Sequence, residues 1–99
     1  MLFNDVIELV SVTHTRNDAG ELVPHETKRE VFANRKSVRQ SEFYAAAQIG
    51  LRLEQMFEVL EADYDGETLV IYDGKRYEVE RTYSRGHERL ELICKRAIE

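Results

Sequence analysis

The chain has 99 residues, of which 42% are hydrophobic and 33% charged, and a formal net charge of −5. Its length makes a single domain that buries roughly 60–70% of its unfolded surface, and its composition is that of a globular protein. A membrane span is excluded because no apolar run approaches the roughly 20 residues it needs, and the only cysteine, Cys94, excludes an internal disulfide and a cysteine-rich zinc site.

The opening "MLFNDVIELV" brings in Asp5 and Glu8 at once and lacks a basic leader, so no signal peptide is expected. Residues 5–13, "DVIELVSVT", have strand character. From His14 to Thr27 the chain carries Asn17, Asp18, Gly20 and the only proline, Pro24, which is the composition of a long loop. Loops of this length in a small domain are functional or mobile. Residues 28–39 return to strand and end in a basic stretch containing Lys28, Arg29, Arg35, Lys36 and Arg39.

The stretch "SVRQSEFYAAAQIG", residues 37–50, changes the pattern. Ser41 is a helix-capping residue type, three alanines favour helix, and Gly50 stops it. About two turns of helix are unstable alone, so this segment is expected to dock on something. In residues 51–61, Leu51, Leu53, Phe57 and Val59 are expected on one face and Arg52, Glu54 and Glu58 on the other. "DYDGE" is a turn. "LVIYDGKRYEVERTY" is a hairpin about Asp73-Gly74 in a type I′ turn, with Tyr77, Val79, Arg81 and Tyr83 on one face. "SRGHE" turns again, and "RLELICKR" closes the chain with Leu90, Leu92 and Cys94 inward.

This layout gives a mainly β fold: a small antiparallel β-barrel of about six strands with one short α-helix, or a sandwich. Closure would remove the sheet edges that invite aggregation. Charge is unevenly placed. Residues 41–67 hold seven acids (Glu42, Glu54, Glu58, Glu61, Asp63, Asp65 and Glu67) against Arg52, a net of −6, which leaves +1 for the rest. These are either two solvated faces or complementary patches that meet between copies or partners.

No catalytic, cofactor-binding or metal-ligating residues are expected. His14, His25 and His87 are scattered, and "DYDGE" lacks the remaining ligands of a calcium loop. Ser41 has no placed base to activate it, and no glycine-rich phosphate loop is present. Cys94 reads as a core residue. Tyr72, Tyr77 and Tyr83 beside Arg76, Arg81 and Arg85 could stack single-stranded nucleic acid; as packed sheet aromatics they have a plainer reading, which the acidic balance favours.

Residues 41–97 resemble the phage head–tail joining family, also called head-closure or stopper proteins. The resemblance rests on an ordered series: the "SEFYAAA" helix, an alternating strand, the hairpin carried by Tyr72, Gly74, Lys75, Tyr77 and Val79, and the terminal "ELICKR" strand. The first 36 residues match by layout. At Phe32-Ala33-Asn34 the chain departs from the family, which often has Trp or Val there, then Ala and a polar residue.

The resemblance implies a small β-barrel with one short helix, assembled as a ring in the virion after a stage in the host cytoplasm. Such a ring sits below the portal and adaptor, closes the channel after DNA packaging and receives the tail or tail-terminator protein. DNA would pass without sequence-specific binding. The residues implied at interfaces are Arg35, Lys36, Arg39, Gln40, Glu42, Phe43, Tyr44 and Gln48 around the helix, and Asn17, Asp18 and Glu21 in the long loop. The flanks of the helix would approach the ring axis, with Phe43 and Ala47 anchoring it to the barrel. The long loop would order on a neighbour. A phage tail-completion protein and an OB-like barrel for single-stranded nucleic acid are the alternatives.

Overall fold

The computed structural model describes residues 3–86 and 88–97. Six strands and one helix follow in the order β1 (Asp5–Arg16), β2 (Leu22–Lys36), α1 (Gln40–Gln48), β3 (Leu53–Leu60), β4 (Leu69–Tyr72), β5 (Lys75–Gly86) and β6 (Arg89–Arg96), with a 3-10 turn at Glu61–Asp63. All pairings are antiparallel, and the sheet closes into a barrel in the order β1-β2-β3-β6-β5-β4.

The expected alternation builds the interior. Ile7, Leu9, Val31, Phe57, Val59 and Leu92 fill the barrel together with Cys94, and Tyr72 and Tyr77 lie against the Phe57 ring at 5.2 and 6.3 Å. Burying a side chain such as Phe57 contributes roughly 2–3 kcal/mol. The hairpin between β4 and β5 turns as expected: Asp73 and Gly74 have φ of 53° and 75°, the two left-handed positions of a type I′ turn.

Two bulges move side chains from the faces expected of them. In β3 the register with β6 shifts between Leu53 and Gln55. A bulge adds one residue and so exchanges the two faces of a strand beyond it. Leu53 therefore lies outside the barrel, where it forms a small second cluster with Met56 and Ile93 rather than joining Phe57 and Val59. Glu58 is not solvated on its outer face; it is buried. In β5 the shift between Val79 and Arg81 does the same. Tyr77 and Val79 face the core, whereas Arg81 and Tyr83 are exposed on the outer surface.

The helix covers that second cluster with Val38 and Ala46. Ser41 does not cap it. The N-cap is Arg39, whose backbone is extended and whose carbonyl accepts from the Phe43 N–H at 2.9 Å, so Ser41 is already helical. Gly50 does end it: at φ 84° it donates to the Ala47 carbonyl, and Leu51 donates to Ala46 at 2.9 Å. This pair of bonds is the Schellman arrangement.

The segment His14–Thr27 is not a loop. β1 and β2 pair without interruption from Asp5↔Ala33 to Arg16↔Leu22, and only residues 17–21 turn. The Asn17 N–H donates to the Glu21 carbonyl at 3.0 Å. Counting back along the ladder, His14 and Pro24 form a non-hydrogen-bonded pair, so the missing proline N–H costs no ladder bond. β4 flanks β1 only at Glu8–Val10, and β3 flanks β2 only at Asn34–Lys36. Beyond those contacts the hairpin leaves the barrel as a two-stranded arm, exposed on both faces from Val12 to Glu30.

Candidate interaction surface

The outer wall beside the helix is built in rows across neighbouring strands. One row runs Asn34, Glu58, Glu91, Tyr83, and the next runs Lys36, Met56, Ile93, Arg81. Glu58 and Glu91 thus stand directly opposite each other, and both are buried. Like charges in that position repel, and four cations offset them. The Lys36 ammonium and the Arg89 guanidinium each lie 3.1 Å from Glu58; Arg39 donates to Glu91 at 2.7 Å, and Arg85 is 3.5 Å from its other oxygen. Burial alone would raise the Glu58 pKa, but the hydrogen bond and charge of Lys36, with Asn34 and Arg89, outweigh it and hold the carboxyl below its usual range.

The helix joins this network. Glu42, in its first turn, pairs with Arg81 and lies 3.6 Å from Arg39. The Arg39 and Arg81 guanidinium groups both sit 5.8 Å from the Tyr83 ring centre, within cation–π range. Between them opens a cleft of about 670 Å³ lined by Arg39, Ser41, Glu42, Arg81, Tyr83, Ser84 and Arg85. The acids lie at the bottom and the cationic tips face out: Glu91 is 0% exposed, whereas Arg81 and Arg85 are 48% and 46% exposed. One Glu91 oxygen, Oε2, has no hydrogen-bond donor. Against the cleft, sharing Glu42 and Arg81, lies an apolar groove of about 390 Å³ formed by Ala45, Ala46, Ile49, Leu51 and Leu53.

Of the residues expected at interfaces, Lys36, Arg39 and Glu42 are brought together here. Gln40 donates to the Tyr44 hydroxyl at 3.3 Å, and Tyr44 meets Phe43 edge-on at 5.9 Å. Tyr44 and Gln48 are exposed, and Phe43 is partly buried. Ala47 is exposed and does not anchor the helix; Ala46 and Val38 do, because they are the residues turned toward Met56 and Ile93. Arg35 is exposed and uses its backbone N–H on the Asp5 carboxylate at 3.1 Å. The basic stretch and the acidic middle are thus largely matched within the chain, through Lys36–Glu58 and Arg29–Glu67 as well as Arg39–Glu42. The residues missed by sequence reasoning are Glu91 and Arg89; Arg81, Tyr83 and Arg85 entered it only as a possible stacking surface for nucleic acid, not as partners of the helix. One signal was available: with Leu90, Leu92 and Cys94 inward, Glu91 and Ile93 must share the outer face, and an outward isoleucine implies a cover.

Asn17, Asp18 and Glu21 lie elsewhere, at the arm tip. The Asn17 Oδ1 accepts from the N–H groups of Ala19 and Glu21, both at 3.0 Å, and the Arg16 guanidinium donates to the Gly20 carbonyl at 2.8 Å. The tip is a defined turn that presents Asp18 and Glu21 to solvent. Two clamps fix the base of the arm to the barrel. Arg76 holds Glu26 through two bonds of 2.8 and 2.9 Å, and Arg29 binds Glu67 and the Asp63 carbonyl. Burial would raise the Glu67 pKa, yet Arg29 and the backbone N–H of Asp65 bring it below its usual range.

The three tyrosines do not form one platform, since Tyr72 and Tyr77 are inside the barrel and Tyr83 is outside. Among the described residues, no group of three or more His, Cys, Asp or Glu is gathered to hold a metal, and no helix is long and apolar enough to cross a membrane. His87 lies outside the described residues. No family model matches the chain, and no curated protein matches it.

Proposed function

We propose that this chain is a subunit of a phage head–tail connector ring, which closes the capsid after DNA packaging and offers the surface on which the tail assembles. The reading is carried by the placement of its two projecting features. The arm tip and the helix stand at opposite ends of β2, a strand of 15 residues that spans about 46 Å; the molecule's longest dimension is 48 Å. A subunit with unlike features at two ends is suited to head-to-tail contacts, which close into rings when the rotation permits. The ordered resemblance of residues 41–97 to head-closure proteins supports the same reading, as does the barrel with a single docked helix.

Electron microscopy of tailless particles made with and without the chain tests it. A ring of density below the portal, with DNA retained only when the chain is present, is the expected result. Particles that retain DNA and accept tails without it overturn the proposal. The cleft gives one specific observation for a second reading: an exposed Tyr83 among Arg39, Arg81 and Arg85 could hold a single-stranded nucleic acid. That reading requires binding that weakens steeply with salt.

A further inference from the structure

The arm beyond Val12 and Glu26 has nothing to lie on. A lone two-stranded hairpin is at best marginally stable in water and gains from packing on a third element. Its side chains are not those of a purely solvated ribbon. Val12, Leu22 and Val23 are 37%, 60% and 39% exposed. Val12, Leu22 and Pro24 share one face by register, which makes an apolar strip next to the acidic tip. The tip carboxylates of Asp18 and Glu21 form no ion pair among the described residues.

The wall beside the helix has the complementary order. A cleft with outward arginines adjoins an apolar groove, and the two share Glu42 and Arg81. Ile49, at the rim of the groove, is 75% exposed.

We infer that the arm of one copy docks into this composite groove of a second copy, with Asp18 and Glu21 at Arg81 and Arg85 and with Leu22 against Ile49 and Leu51. A chain cannot satisfy its own groove, because the clamps Arg76–Glu26 and Arg29–Glu67 hold the arm base and β2 sets the tip at the far end. The contact is therefore heterologous: tip to groove, then tip to the next groove. It rests on the connector reading and names the surfaces by which the ring's neighbours meet.

Disulfide trapping between two variants tests the contact. One chain carries Ala19→Cys and the other Ser84→Cys, at exposed positions of the tip and the cleft; a control pairs Ala19→Cys with Thr68→Cys, also exposed. Each variant is first shown to melt like the parent. Mixed and oxidised, the tip–cleft pair is expected to link at least about tenfold faster than the control, because docking raises the local concentration of one thiol at the other. Equal rates overturn the inference. The same pairs oxidised within particles separate the two proposals. Particles that take up the chain and retain DNA without a tip–cleft disulfide defeat the contact alone. Tip–cleft dimers of the pure protein, together with particles that never take it up, defeat the connector reading alone.

Discussion

Glu58 on β3 and Glu91 on β6 stand opposite each other on the outer wall, 2% and 0% exposed, and the cations that offset them come from four different places in the chain. Such an arrangement is held as a unit, because each buried carboxylate has two cations and removing one leaves it only partly compensated. Arg39→Ala is expected to lower unfolding stability by about 1–2 kcal/mol, less than for a fully buried pair because the guanidinium is 39% exposed and screened by water. Adding Glu91→Leu removes the partly compensated charge and should recover most of that loss. Urea unfolding of the two single variants and the double variant measures the coupling; additive losses would show that the pair is not a unit.

Acid should unfold the protein through Glu58 and Glu67. Both carboxyls are held below their usual value of 4.5 in the fold, despite burial, by Lys36 and Arg29 respectively. A depressed folded pKa means that the unfolded chain binds protons more readily, so the contribution is fully present above the unfolded value and is lost as pH falls through the folded one. The melting temperature should therefore be nearly flat in this respect above about pH 5 and drop steeply below about pH 4. The double variant Glu58→Gln/Glu67→Gln should be less stable at neutral pH and show a shallower acid limb. An unchanged limb would assign acid sensitivity to other groups.

The barrel was legible in the sequence because apolar residues recur at every second position of its strands and line the interior, although the other face of β3 and β6 is buried as well. Leu90, Leu92 and Cys94, and the Asp73-Gly74 turn, are local signals that local structure obeys. The arm was not legible for the same reason reversed. Alternation reports a buried face, and "THTR" and "PHETK" have none, so their pairing is written only in the backbone ladder. The bulges at Glu54 and Glu80 were silent as well, and each moved its neighbours to the other wall. The helix was visible as an interruption. The partners of Arg39, among them Glu91 at 52 residues' separation, were not, because no periodicity links them.

The turn between β4 and β5 should depend on Gly74. Its φ of 75° is in the left-handed region, and a Cβ there would meet no atom within 4 Å, so a substitution carries conformational strain without a clash. Gly74→Val is expected to cost about 1–2 kcal/mol, and Gly74→Asn distinctly less, since asparagine tolerates this region. Equal melting temperatures for the two variants would show that strain at the turn does not govern the difference.

Cys94 should be inert in the folded protein. It is fully buried in the barrel, and burial pushes its thiol pKa up to about 12. The thiolate is the reactive form, so a thiol reagent at about pH 8 should label the chain only after denaturation. Rapid native labelling at a rate independent of denaturant would place the thiol at the surface.

The arm can be removed without touching the core. Thr13 and His25 are register partners near its base and, by the alternation of the ladder, a hydrogen-bonded pair, and residues 14–24 are all exposed. Replacing residues 14–24 by Asn-Gly closes a two-residue hairpin on that pair, a length and composition suited to a type I′ turn. The Arg76–Glu26 and Arg29–Glu67 clamps lie on the barrel side of the cut and are retained. Since no buried apolar contact is lost, the melting temperature should stay within about 4 °C of the parent, the shift that roughly 1 kcal/mol produces in a domain of this size. Association should fail completely, because each copy would keep its groove and lose the tip that fills the next one. Assembly of the shortened chain into particles, scored by density below the portal and by DNA retention, checks this. A shortened chain that folds and still seals particles would show that the arm is dispensable, whereas one that cannot fold would show that the ribbon supports the barrel rather than the ring.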